Sequence, residues 1–225
     1  MNSQNVYIAP QVQSLRALHQ AVADGEYYRA SIYDVLAMQA ETILNAHADG
    51  NSCVTFHLGS WCPDLIGQPV EKIMAVNLDI HQAQLTMARE HGFADWDEVT
   101  QFKDVQLNED FERAVDAVVT GNIPQLAEQL SLNRGLINQA SQYGHRATLL
   151  HYIGANGVES YRQITPLNAV DVAQALIKAG ADVNAQAKMY GGATALGLVV
   201  TSAHPHNAGV VEEISTVLKA AGATV

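Results

Sequence analysis

Basic residues are scarce in this chain: 12 lysines and arginines stand against 23 aspartates and glutamates in 225 residues, a net charge of −11. Such a surface is repelled by phosphate backbones and anionic lipid heads, which sets nucleic acid and membrane aside as partners. Cysteine is scarcer still. Cys53 and Cys62 are too few for a disulfide framework, and Met1 to Leu15 carry neither a basic start nor an apolar stretch that would read as an export signal, so a cytoplasmic, reducing compartment is expected. No apolar run is long enough to span a bilayer. No glycine-rich phosphate loop follows a strand, and no serine sits in a nucleophile elbow, so no cofactor, metal or catalytic residue is assigned.

What the chain does have is helical spacing, which predicts a mainly α fold. Leu15, Leu18, Ala21 and Val22 recur between Pro10 and Gly25. A second helix is expected over Ser31 to His47, capped by Ser31 with Asp34, with Ile32, Val35, Leu36, Ile43 and Leu44 on its apolar side. Residues 51–78 read as loops and short helices. Asp79 with Gln82, and Asp95 with Glu98, repeat the capping signal, and Gly92 ends the helix between them.

From Asn108 the text changes to pairs of short helices. Phe111, Ala114, Val115 and Val118 form one stripe, Gly121-Asn122 make the turn, and Leu126 and Leu130 follow after Pro124. Later units echo this order: Val172, Ala173, Leu176 and Ile177 precede Ala179-Gly180-Ala181-Asp182-Val183-Asn184, and Val211, Ile214 and Leu218 precede Ala221-Gly222-Ala223-Thr224-Val225. Two short helices cannot bury an apolar stripe alone, so such units must stack.

These strings resemble ankyrin repeats, with good Ala-Gly-Ala-Asp-Val-Asn exits and degenerate starts at Thr148-Leu149-Leu150-His151 and Thr194-Ala195-Leu196-Gly197. The resemblance covers roughly the last half of the chain. It implies an ankyrin-repeat α-solenoid of about three degenerate repeats over residues 108–225, with short hairpin fingers, capped by a helical N-terminal region over 1–107. It also implies that His151 hydrogen-bonds with Thr148 and the neighbouring turn. Thr165-Pro166-Leu167 lies too close to Gly180 to open a repeat of two helices, so Asn156–Asn168 and Ser202–Gly209 are expected to be enlarged loops. Ala88 to Trp96 resembles a helical lead-in found before ankyrin repeats in bacterial proteins of undefined function.

The resemblance implies binding of a protein partner. The predicted fingers hold Tyr143, His145 and Arg146 in one and Lys188, Met189 and Tyr190 in the next, residue types that serve as binding anchors; Tyr161 and Arg162 form a weaker second candidate. An alternative is an enzyme or metal-binding protein. Its site would lie in 51–78, where Trp61-Cys62-Pro63-Asp64-Leu65 lacks the second thiol of a redox motif, or at His204 and His206 with His145 or His151. A self-association module is a third reading, and the oligomeric state is left open. Glu109, Asp110, Glu112 and Asp116 are expected to face solvent and complement a helix N-terminus.

Overall fold

Capping chemistry sets most helix boundaries in the computed structural model, which describes residues 5–225. After a short strand β1 (Val6–Tyr7), α1 (Pro10–Leu18) opens on a proline whose missing N–H costs nothing in a first turn, and α2 (Gln20–Ala23) follows. Ser31 accepts from the Asp34 N–H to start α3 (Ile32–Ala48). Two short helices, α4 (Thr55–Trp61) and α5 (Val70–Ala75), occupy the stretch 51–78, where loops and short helices are expected. Asp79 and Gln82 form a reciprocal capping box on α6 (Ile80–Glu90), and Asp95 caps α7 (Trp96–Thr100). Helix α6 packs against both α3 and α4, burying Ile43, Leu58, Ile73 and Met87.

The second half is built of helix pairs. Asn108 caps α8 (Glu109–Thr120), which ends at Gly121 with φ 71°. Asn122 then caps α9 (Ile123–Leu132), and a 3-10 turn, Arg134–Asn138, follows. The next pair is a 3-10 helix, Leu149–Gly154, and α10 (Ala169–Lys178). The last is α11 (Ala195–Thr201) and α13 (Val211–Ala220), with α12 (Ala203–Ala208) between them. The segment Leu149–Gly154 lies between α8 and α11 and touches both, while α9, α10 and α13 each pack behind their own partner. One core of aliphatic side chains runs through all three pairs.

Three polar links, of two kinds, tie successive pairs together. His151 Nδ1 accepts from the Thr148 N–H at 3.1 Å, which leaves Nε2–H to donate to the carbonyls of Ala185 and Ala193 at 3.1 and 3.2 Å. Asn138 donates to Gly180 O at 3.0 Å and accepts from Asp182 N at 2.8 Å. Asn184 makes the same two bonds, 3.0 and 2.8 Å, to Gly222 O and Thr224 N.

The expected enlarged loops are not loose. Ser202–Gly209 contains α12, begun by Ser202. Asn156–Asn168 turns inward: Val158 to Pro166 are buried, and β2 (Thr165–Pro166) pairs antiparallel with β1. The N-terminal half is joined to the rest at this segment, since α1 packs on Ser160–Arg162, and at a second point, where His145 N donates to His91 O at 3.1 Å.

Candidate functional site

The two predicted fingers have different fates. In the first, Tyr143 and His145 are each 1% exposed, enclosed between the halves, so neither presents surface to a partner; this corrects the expectation that they act as anchors. The cause is that the N-terminal half itself covers this finger, with Tyr143 packed among Ile32, Val35, Phe93 and Tyr161. Arg146 points outward with its backbone at φ 56°. In the second finger Lys188 is exposed, Met189 is buried under it, and Tyr190 stands 64% exposed. Tyr190 sits at φ 51°, a strained value for a tyrosine, and its hydroxyl donates to Asn156 Oδ1 at 2.9 Å. Beside it lies a shallow apolar hollow lined by Ala193, Gly197, Leu198 and Thr201. Arg146, Lys188 and Tyr190 therefore hold the accessible part of the predicted site, and Met189, packed into the core, is corrected with Tyr143 and His145 as no surface anchor.

Tyr161 and Arg162 are also 1% exposed, and Arg162 is the centre of a buried charge cluster that joins the halves. Its Nη1 donates to Glu112 and, at 3.2 Å, to Glu159; its Nη2 reaches Asp116 at 3.2 Å and the Tyr28 hydroxyl at 3.4 Å. The Tyr28 hydroxyl in turn donates to Asp116. The guanidinium also lies over the rings of Tyr28 and Tyr161, 5.8 and 5.6 Å from their centroids. Burial would lower the arginine, but Tyr161 and the three carboxylates around it hold it charged. Glu159 would likewise be raised by burial, yet Arg162 and His145 bring it to about 2. Burial wins at Glu112 and Asp116, both of which lie above their usual range.

Glu112 thus does not serve the solvated role expected of it, and Asp116 is only partly exposed, although Glu109 does sit near the surface between Arg29 and Arg113. A signal was present: Glu112, Val115, Asp116 and Val119 share one face of α8, and both valines are buried. Nothing local identifies Arg162 as their partner, because it comes from 46 to 50 residues downstream.

A chain of imidazoles extends from this region. Glu90 accepts from Ser160 N at 3.0 Å with one oxygen and contacts His57 Nδ1 with the other. His57 Nε2 lies 3.2 Å from His19 Nε2. One proton must be shared across that contact, so two cations cannot coexist there. Burial, with His57 adding to it, brings His19 down to about 3, and Glu90 is driven below the ordinary carboxylate range by His57 against the cost of its burial. His145 Nδ1 accepts from Ala147 N, which turns its Nε2–H toward Glu159 at 3.8 Å. All these groups are 0 to 2% exposed, so the cluster holds the two halves in register rather than facing a substrate.

The alternative sites have separate surroundings. Burial raises both the Cys53 and the Cys62 thiol, and Cys62 is 1% exposed. His206 Nε2 lies 3.2 Å from Val200 O, while His145 and His151 are engaged as described. Among the described residues, no group of three or more His, Cys, Asp or Glu is arranged to hold a metal ion, and no helix is long and apolar enough to cross a membrane. No family model, curated protein or solved structure matches this chain.

Proposed function

We propose that the chain is a cytoplasmic scaffold of stacked, ankyrin-type helix pairs that binds a protein partner, and that the second finger with the adjoining face of α11 is its contact surface. The Asn138 and Asn184 bridges, made twice in the same form, support the repeated-pair reading, as does the His151 link. The observation that carries the binding reading is Tyr190: a large aromatic, 64% exposed, held at a strained backbone angle and steadied by Asn156 beside an apolar hollow. An ordered, exposed tyrosine gives contact area with little further entropy loss, which is the character of an interface anchor. Strain at an exposed position also tends to accompany function. Tyr143 and His145 of the first finger play no such part, because the N-terminal half already covers them.

The test is capture from source-cell lysate by the full chain and by a Lys188→Ala, Tyr190→Ala double variant, read by quantitative mass spectrometry. A protein held by the wild type and lost by the variant supports this surface. A protein held equally by both places the interface elsewhere, and the absence of any specific protein counts against the scaffold.

A further inference from the structure

Helices α9 and α10 do not close on each other, and they leave a groove of about 490 Å³ between them. That lies within the size range of small-molecule sites, about 300–1,000 Å³. Its floor is aliphatic, formed by Ile123, Leu130 and Ile137, with Leu126 fully buried beneath it. The groove exists because the facing positions are small: Ala127 on one wall and Ala175 and Ala179 on the other reach too short a distance to meet. Next to the lining residues Ile137 and Ala179, Asn138 bonds to Gly180 and Asp182 at 3.0 and 2.8 Å and so ties the two helix exits together. The walls are thus fixed by hydrogen bonds instead of resting on loose side chains.

Apart from the neutral Ser131, the polar residues at this groove carry one sign. Arg134, after α9, and Lys178, in the last turn of α10, both line it, and no carboxylate does. In a chain with 12 basic and 23 acidic residues, two cations from separate elements beside one aliphatic trough select an occupant with an apolar body and a negative head. We infer that the α9–α10 groove binds a medium-chain carboxylate, with its alkyl chain along Ile123, Leu130 and Ile137 and its head group between Arg134 and Lys178. An exposed ammonium and guanidinium contribute modestly each, so the apolar body supplies most of the affinity and the charges supply the selection.

Decanoate below its micelle concentration is the probe, followed by methyl NMR of the full chain. Saturable shifts are expected at the Ile123, Leu130 and Ile137 methyls. Decanol, which has the chain without the charge, should bind about tenfold more weakly, and an Arg134→Gln, Lys178→Gln double variant should lose about tenfold for decanoate while leaving decanol unchanged. Ala175→Leu fills the trough from one wall and should abolish binding of both ligands; Ala127→Leu does the same from the other wall if the first variant fails to fold. Absence of saturable groove shifts with decanoate would overturn the inference, as would equal affinity for decanol and decanoate in the wild type. Tighter binding of an acidic peptide than of decanoate at the same methyls would also overturn it, by assigning the groove to a macromolecular partner.

Discussion

Gly92 and Gly144 meet backbone to backbone where the two halves join: a Cβ built on Gly144 would lie 2.3 Å from Gly92 O, and one built on Gly92 would lie 2.2 Å from His145 N. Neither contact is with a flexible side-chain end, so an alanine at either place forces the main chains apart. Gly50 is a useful contrast, since it has φ 74° and nothing within 4 Å of its virtual Cβ. Gly144→Ala is expected to cost about 1–3 kcal/mol through overpacking, whereas Gly50→Ala pays only for backbone strain, about 1 kcal/mol. Urea unfolding of both variants checks this; equal losses would mean that the junction yields without resistance.

Arg162 faces Glu112 and Glu159 in the interior and the half-buried Asp116 at the edge of the cluster. Arg162→Met leaves three carboxyl groups without their cation and should destabilise the fold by about 3–5 kcal/mol at neutral pH. Arg162→Lys should restore little, since one ammonium cannot serve donors aimed at three carboxylates and a phenol. The penalty should shrink as pH falls, because the abandoned carboxyls can then take up protons. A chevron or equilibrium titration at pH 7 and pH 5 reads both effects, and a pH-independent loss would assign the cost to packing alone.

Helix starts were readable because their chemistry is local: Ser31, Asp79 and Asp95 each cap within three residues, as their spacing indicates. Mainly α content was legible for the same reason. The inward course of Val158 to Pro166 was not, since the partners that hold it, Glu90, Glu112 and Tyr28, are 50 to 134 residues away. Tyr143 and Tyr190 looked alike in sequence for a related reason. Whether a finger residue meets solvent depends on where the N-terminal half docks, and His91 and Gly92 give no sign of that until their backbone meets Gly144 and His145.

Those two tyrosines now carry opposite expectations. Tyr143→Ala removes a fully buried ring and should cost about 3–5 kcal/mol, seen as a large fall in the urea midpoint. Tyr190→Ala removes an exposed ring and relieves nothing in the core, so its stability should stay within about 0.5 kcal/mol of wild type. A fall at Tyr190 comparable with that at Tyr143 would mean that the second finger is a structural element, which would weaken its assignment as a binding surface.

His19 gives the acid response a definite direction. Its ordinary value near 6.5 drops to about 3 in the fold, so between those limits the unfolded chain binds a proton that the folded chain refuses. Stability is therefore full above about pH 6.5 and falls with pH toward 3, by up to about 1.4 kcal/mol per pH unit for this one group. His91 and His151 are lowered by burial in the same sense. Glu159, held at about 2 against 4.5, adds a loss between those values, whereas Glu112 and Asp116, raised by burial, oppose the trend where they titrate. Urea midpoints measured from pH 7.5 to pH 4.5 should stay level down to about pH 6.5 and decline below it, and His19→Gln, which keeps a polar side chain beside His57 but cannot be protonated, should flatten the decline. If the variant kept the wild-type slope, His19 would be taking up its proton within the folded state, and the shared-proton contact with His57 would not be holding it neutral.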